Sequence, residues 1–95
     1  MNHQQIYDNL ISKAREYQRK KVKKGTINYV YYEKHHILPK CLGGSDNNEN
    51  LVLLTAKEHY LCHKLLTYIY KGNNKIANAF HRMTFDKHGK HNLFL

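Results

Sequence analysis

The chain has no tryptophan, one proline and only two cysteines in 95 residues. Cys41 and Cys62 form no CxxC pair and are too few for a disulfide scaffold, so both are expected to be small buried groups in a reducing cytoplasm. No apolar run approaches the ~20 residues that cross a bilayer. The first twenty residues are amphipathic and basic, without the apolar stretch of a signal peptide. No membrane partner is therefore expected. Acidic residues are scarce too: seven Asp and Glu face sixteen Lys and Arg, a formal charge of +9. A chain of this length makes at most one small domain, burying roughly 65% of its extended surface. What it has in abundance is positive charge and histidine, eight of the latter. A compact basic domain most often meets a polyanion, nucleic acid first, although charge alone leaves open a basic protein that is merely well solvated.

The N-terminal segment, about Asn2 to Lys21, is expected to be helical, because Ile6, Leu10, Ala14 and Tyr17 recur at helical spacing and Tyr7 and Ile11 widen the same face. It runs into a basic stretch, Arg19 to Lys24, that holds Arg19, Lys20, Lys21, Lys23 and Lys24 before Gly25. That stretch reads equally well as a solvated helix end or as a phosphate-contacting patch. Residues 27–38, INYVYYEKHHIL, are rich in β-branched and aromatic side chains and predict a strand as far as Pro39. A turn-rich loop follows, with Gly43-Gly44 permitting positive φ. LVLL, residues 51–54, predicts a short buried strand. Thr55 and Glu58 then make a capping box for a helix that should run to about Tyr70 and stop at Gly72. A last helix is expected from about Asn74 to Met83, followed by a tail without usable periodicity.

Four histidines carry the chemical signal. His59 and His63 stand four apart on the capped helix, on one face and one turn from each other, where two imidazoles can share a metal ion. Taken alone, such a pair is more often an idle surface face. His35 and His36 are neighbours on a strand and therefore point to opposite faces. One can turn toward a metal held by the helix while the other turns toward substrate. The order of strand, polar loop, short apolar strand and capped helix is far more specific than any of its pieces. Glu58 reads as a helix cap, and Glu33 as either strand surface or a partner of the site; His81, His88 and His91 read as surface residues.

The stretch HHILPKCLGGSDNNENLVLLTAKEHYLCHKLL, about a third of the chain, closely resembles the motif of HNH endonucleases, in the flavour of small phage-encoded and homing-type members. The resemblance implies an α+β fold: a ββα-metal (His-Me finger) core flanked by an N-terminal and a C-terminal helix. Within one domain spanning 1–95, it places a basic N-terminal helix at 1–25, the core at 29–71 and a C-terminal helix with its tail at 74–95. It implies His35, His59 and His63 as metal ligands, His36 as the general base that activates water, and Asn50 as the residue that ties the loop to the second strand and orients that base. One divalent ion is implied, magnesium or manganese in use, with zinc or nickel also able to bind. The implied activity is metal-dependent hydrolysis of DNA phosphodiester bonds by a cytoplasmic protein, in the host cell if phage-encoded. Its partner is double-stranded DNA, met by a monomer or weak homodimer. Lys34 and Lys40 join the basic stretch as expected DNA contacts. Imidazole ligands suit this chemistry because they hold an ion without cancelling its charge. A histidine near its ordinary pKa can accept a proton at neutral pH. The competing reading is a metal-stabilised nucleic-acid-binding module without turnover.

Overall fold

The computed structural model describes residues 2–83, and the 84–95 tail, with His88 and His91, lies outside the described residues. The chain opens with α1 (His3–Glu16), whose N-cap is Asn2, its side chain accepting a hydrogen bond from the Gln5 amide. Its buried stripe is Tyr7, Ile11 and Ala14. The helix ends five residues earlier than the amphipathic pattern predicts. Gln18 takes a left-handed backbone (φ 49°), and the chain turns back there. The physical reason is a clasp at Arg19. Its guanidinium reaches both carboxylate oxygens of Glu58 (2.6 and 3.2 Å) and the Leu53 carbonyl (3.1 Å). Tyr17 and Tyr32 lie against it at 4.8 and 5.0 Å. The basic stretch that follows is therefore extended and turning, not the continuation of a 1–25 helix.

Strand β1 (Glu33–His36) pairs antiparallel with β2 (Leu51–Leu54), setting Glu33 opposite Leu54 and His36 opposite Leu51. The twelve-residue strand expected over 27–38 is thus reduced to four. Its only ladder partner among the described residues, β2, is four residues long, and Asn28 breaks the extended run with φ 63°. His35, Val52 and Leu54 share the buried face, while Lys34 and His36 look to the other side.

The connection between the strands is held by one side chain. Asn50 accepts from the Leu38 amide (2.8 Å) and donates to the Leu38 and Ser45 carbonyls (3.0 and 2.8 Å), while its own carbonyl accepts from the Ile37 amide (2.9 Å). Gly44 sits so close to this staple that a Cβ there would fall 1.8 Å from the Leu38 oxygen.

Thr55 and Glu58 form the expected capping box at the start of α2 (Ala56–Ile69), and α3 (Asn74–Met83) has the predicted bounds. The core gathers Tyr7, Ile11, Ala14, Val52, Leu54, Cys62, Leu66 and Ile76 from α1, β2, α2 and α3. Cys62 is fully buried, and burial pushes its thiol up to about 12. Cys41, expected to be buried, is exposed, because the loop after Pro39 turns it outward. No helix among the described residues is long and apolar enough to cross a membrane.

Candidate metal centre

The buried face of β1 brings His35 against the face of α2 that carries His59 and His63. The three rings stand edge to face, with centroids 4.9–5.1 Å apart. One nitrogen from each lies within 4.8 Å of the others, so His35, His59 and His63 are close enough to hold a metal ion together.

Hydrogen bonds decide which nitrogens are available. The Tyr7 hydroxyl donates to the Ile37 carbonyl at 2.7 Å, so toward His35 Nε2, also at 2.7 Å, it can only accept. The proton of His35 is thereby assigned to Nε2, which leaves a lone pair on Nδ1. That Nδ1 and the Nδ1 of His63 are buried without a hydrogen-bond partner among the described residues. His59 Nδ1 lies 2.8 Å from Glu33 Oε1, and with the proton between them its Nε2 is free to ligate. The Tyr31 hydroxyl donates to the other Glu33 oxygen at 2.5 Å. Partial burial works to raise the Glu33 carboxyl, but the bonds from Tyr31 and His59 outweigh it and hold the acid below its ordinary range. Two orphaned buried nitrogens and a carboxylate behind a third ring are what a resident cation needs, so the residues fit a divalent ion.

Tyr7 is a residue that reading the sequence assigned only to the core. Tyr7→Phe keeps the packing, frees the His35 ring to change tautomer and should weaken divalent-ion affinity about 10–100-fold. Titration calorimetry with zinc measures this, and an unchanged affinity contradicts the role.

Burial, reinforced by the neighbouring imidazoles, lowers His35 to about 2, and burial with His59 nearby lowers His63 to about 4. Unfolding returns both toward 6.5, so below that pH the unfolded chain binds more protons than the folded one. Stability is then fully present above pH 6.5. It is lost as pH falls from 6.5 toward about 4 for His63, and lower still for His35. Metal-free protein is expected to lose about 2–4 kcal/mol between pH 7 and pH 5. Urea denaturation at the two pH values checks this, and equal midpoints would count against neutral buried histidines.

His36 points the other way, into a cleft of about 780 Å³ that His59 and His63 also line. Its Nε2 meets Asp46 Oδ1 at 2.7 Å, and Lys40 Nζ meets the other Asp46 oxygen at 3.1 Å. The bond from His36, then that from Lys40, holds the Asp46 carboxyl below the ordinary range. The ring's partner is thus a carboxylate of the loop that Asn50 staples.

The remaining residues expected at the site divide. Lys34 and Lys40 line the cleft, and Lys34 also lines an adjoining groove with Arg15, Lys20 and Lys21. Lys23 and Lys24 are exposed beyond the linings of both. Arg19 is set apart from them by the Glu58 clasp, its side chain only 12% exposed. Reading the sequence passed over Asp46, which sits among loop residues with no periodicity to mark it. It also passed over the α3 wall of the cleft, although Lys75, Asn78, Ala79 and Arg82 fall at the i, i+3, i+4, i+7 spacing of one helix face.

No protein-family model matches the chain, and no solved structure matches it. Among the proteins it is similar to are three of Enterobacteria phage T4. Probable mobile endonuclease D is 49% identical over 80 residues, which is 84% of this chain and 29% of that protein. Probable mobile endonuclease E is also 49% identical over 80 residues, covering 51% of its length. Probable mobile endonuclease C is 42% identical over 90 residues, or 95% of this chain and 40% of the relative. The chain thus spans about half or less of the length of each of these relatives.

Proposed function

We propose that this chain is a metal-dependent HNH endonuclease of the phage mobile type, hydrolysing DNA phosphodiesters at a ββα-metal site. The observation that carries the reading is one cleft lined by His36 together with His59 and His63, two of the three ion-competent histidines, under a rim of positive charge. Among the described residues lining it are Lys34, Lys40, Lys75 and Arg82, and no Asp or Glu. The relatives named as probable mobile endonucleases support the same class of activity.

In this reading His35, His59 and His63 hold one divalent ion. When bound, the ion supplies positive charge against the scissile phosphate and the departing 3′ oxygen. Asp46 takes the Nε2 proton of His36 in a hydrogen bond, which leaves Nδ1 as the base. Water gives its proton to Nδ1 as its oxygen bonds phosphorus, the P–O3′ bond breaks, and the departing O3′ takes a proton from solvent water. The ends are a 5′-phosphate and a 3′-hydroxyl. Asn50 acts at one remove, because its bonds to Leu38 and Ser45 hold the loop that carries Asp46. Lys34, Lys40, Lys20 and Lys21 meet the phosphate backbone without reading sequence. One such site cuts one strand at a time.

The ends test this chemistry. Nicks made in supercoiled plasmid with manganese present should be resealed by DNA ligase, which requires a 5′-phosphate beside a 3′-hydroxyl. Nicks that ligase cannot close would sink the proposed direction of bond breaking.

A further inference from the structure

The third helix has two faces with different work. Ile76 is buried in the core and Phe80 lies 5.2 Å, ring to ring, from Tyr60 of α2, so one stripe fastens α3 to the body. The neighbouring stripe, Lys75, Asn78, Ala79 and Arg82, lines the histidine cleft, as do Pro39, Lys40 and Cys41 of the loop. Lys75 and Arg82 are both exposed and two turns apart, with the short side chain of Ala79 between them. Seven residues of helix advance about 10 Å. That matches roughly three nucleotides along one DNA strand at ~3.4 Å each. Three such steps separate the first of four successive phosphates from the last, so a strand lying along α3 could offer the outer two to the cations and one of the two between them to the histidines.

We infer that α3 is the second jaw of the cleft, with Lys75 and Arg82 gripping two backbone phosphates that flank the one presented to His36. This rests on the endonuclease reading for the identity of the central phosphate, but the grip itself is a binding property and can be measured without cleavage. Guanidinium and ammonium groups on an exposed helix face neutralise phosphate without consulting the bases, so the jaw sets register along the backbone and adds no sequence preference.

The test is the salt dependence of binding, measured by fluorescence anisotropy on a labelled DNA duplex with the full chain kept metal-free so that no strand is cut. The double variant Lys75→Ala, Arg82→Ala should flatten the plot of log affinity against log salt by about 2. Between 50 and 200 mM salt it should lose affinity by about tenfold less than wild type. Exchanging the two cations, Lys75→Arg with Arg82→Lys, should restore the wild-type slope. The charge-matched pair Lys13→Ala, Lys71→Ala, outside the lining of the cleft, separates local grip from net charge. An unchanged slope in the cleft pair, or an equal loss in the Lys13, Lys71 pair, overturns the proposal. The slope change in the cleft pair, together with a wild type that never nicks plasmid, defeats the nuclease reading and leaves the jaw standing. Wild type that nicks, with a cleft pair indistinguishable from it in slope, defeats only the jaw.

Discussion

Replacing His36 by alanine is expected to lower the rate of plasmid nicking by about 10²–10⁴-fold while the chain still takes up one divalent ion. The two halves of that expectation come from opposite faces of one strand. His35 and His36 are adjacent on β1, so the pleat sends the first into the buried triad and the second into the cleft. Losing His36 removes a proton acceptor without touching a nitrogen of the triad. Its partner Asp46 is exposed and keeps Lys40, so no buried charge is stranded. Nicking rates with metal uptake measured on the same samples check both halves. A variant that cuts as fast as wild type would remove His36 from the base role. One that no longer binds metal would mean that the two histidines do not divide their work as the pleat divides their positions.

The second large effect is expected at His59. His59→Ala should reduce divalent-ion affinity by well over 100-fold, because disturbing only the groups behind a ligand costs about 10–100-fold and this change removes the ligand itself. Nicking should fall with it at any fixed metal concentration. The fold should survive, since His59 is a partly exposed residue of a helix whose cap and buried contacts lie at other positions: Thr55 and Glu58 at the end, Cys62 and Leu66 inside. Glu33 keeps its bond from Tyr31. Calorimetry with zinc, alongside circular dichroism to follow helix content, separates a lost ligand from a lost fold. Retained affinity would show that His35 and His63 hold the ion with some other group.

Much of this site was legible because its signals are local. The capping box at Thr55 and Glu58 is a four-residue pattern, and it sets the phase of α2 so that His59 and His63 fall on one face. The strand alternation at His35 and His36 is equally short-range. What escaped was carried by contacts distant in sequence. Arg19 looked like one more member of a basic stretch, because nothing nearby announces Glu58, 39 residues away, as its partner. Tyr7 belonged to the apolar stripe of α1, and its stripe position was right. Its hydroxyl, however, reaches 28 residues along the chain to fix the tautomer of His35. The β1 strand was overestimated because β-propensity over 27–38 says nothing about the length of the partner, and β2 offers four residues. The α3 wall had a readable period, but its role depends on which way α3 packs against α2, and that follows from Ile76 and Phe80 meeting a surface made elsewhere.

The most direct measurement is the conversion of supercoiled plasmid to open circle as manganese is titrated into the wild-type chain, with ion uptake followed in parallel. The account predicts that nicking rises with the occupancy of a single site per chain, saturates when that site is full and stops on adding chelator. Full occupancy by manganese or magnesium with no open circle formed would contradict it, and would leave a metal-holding module that binds DNA without cutting it.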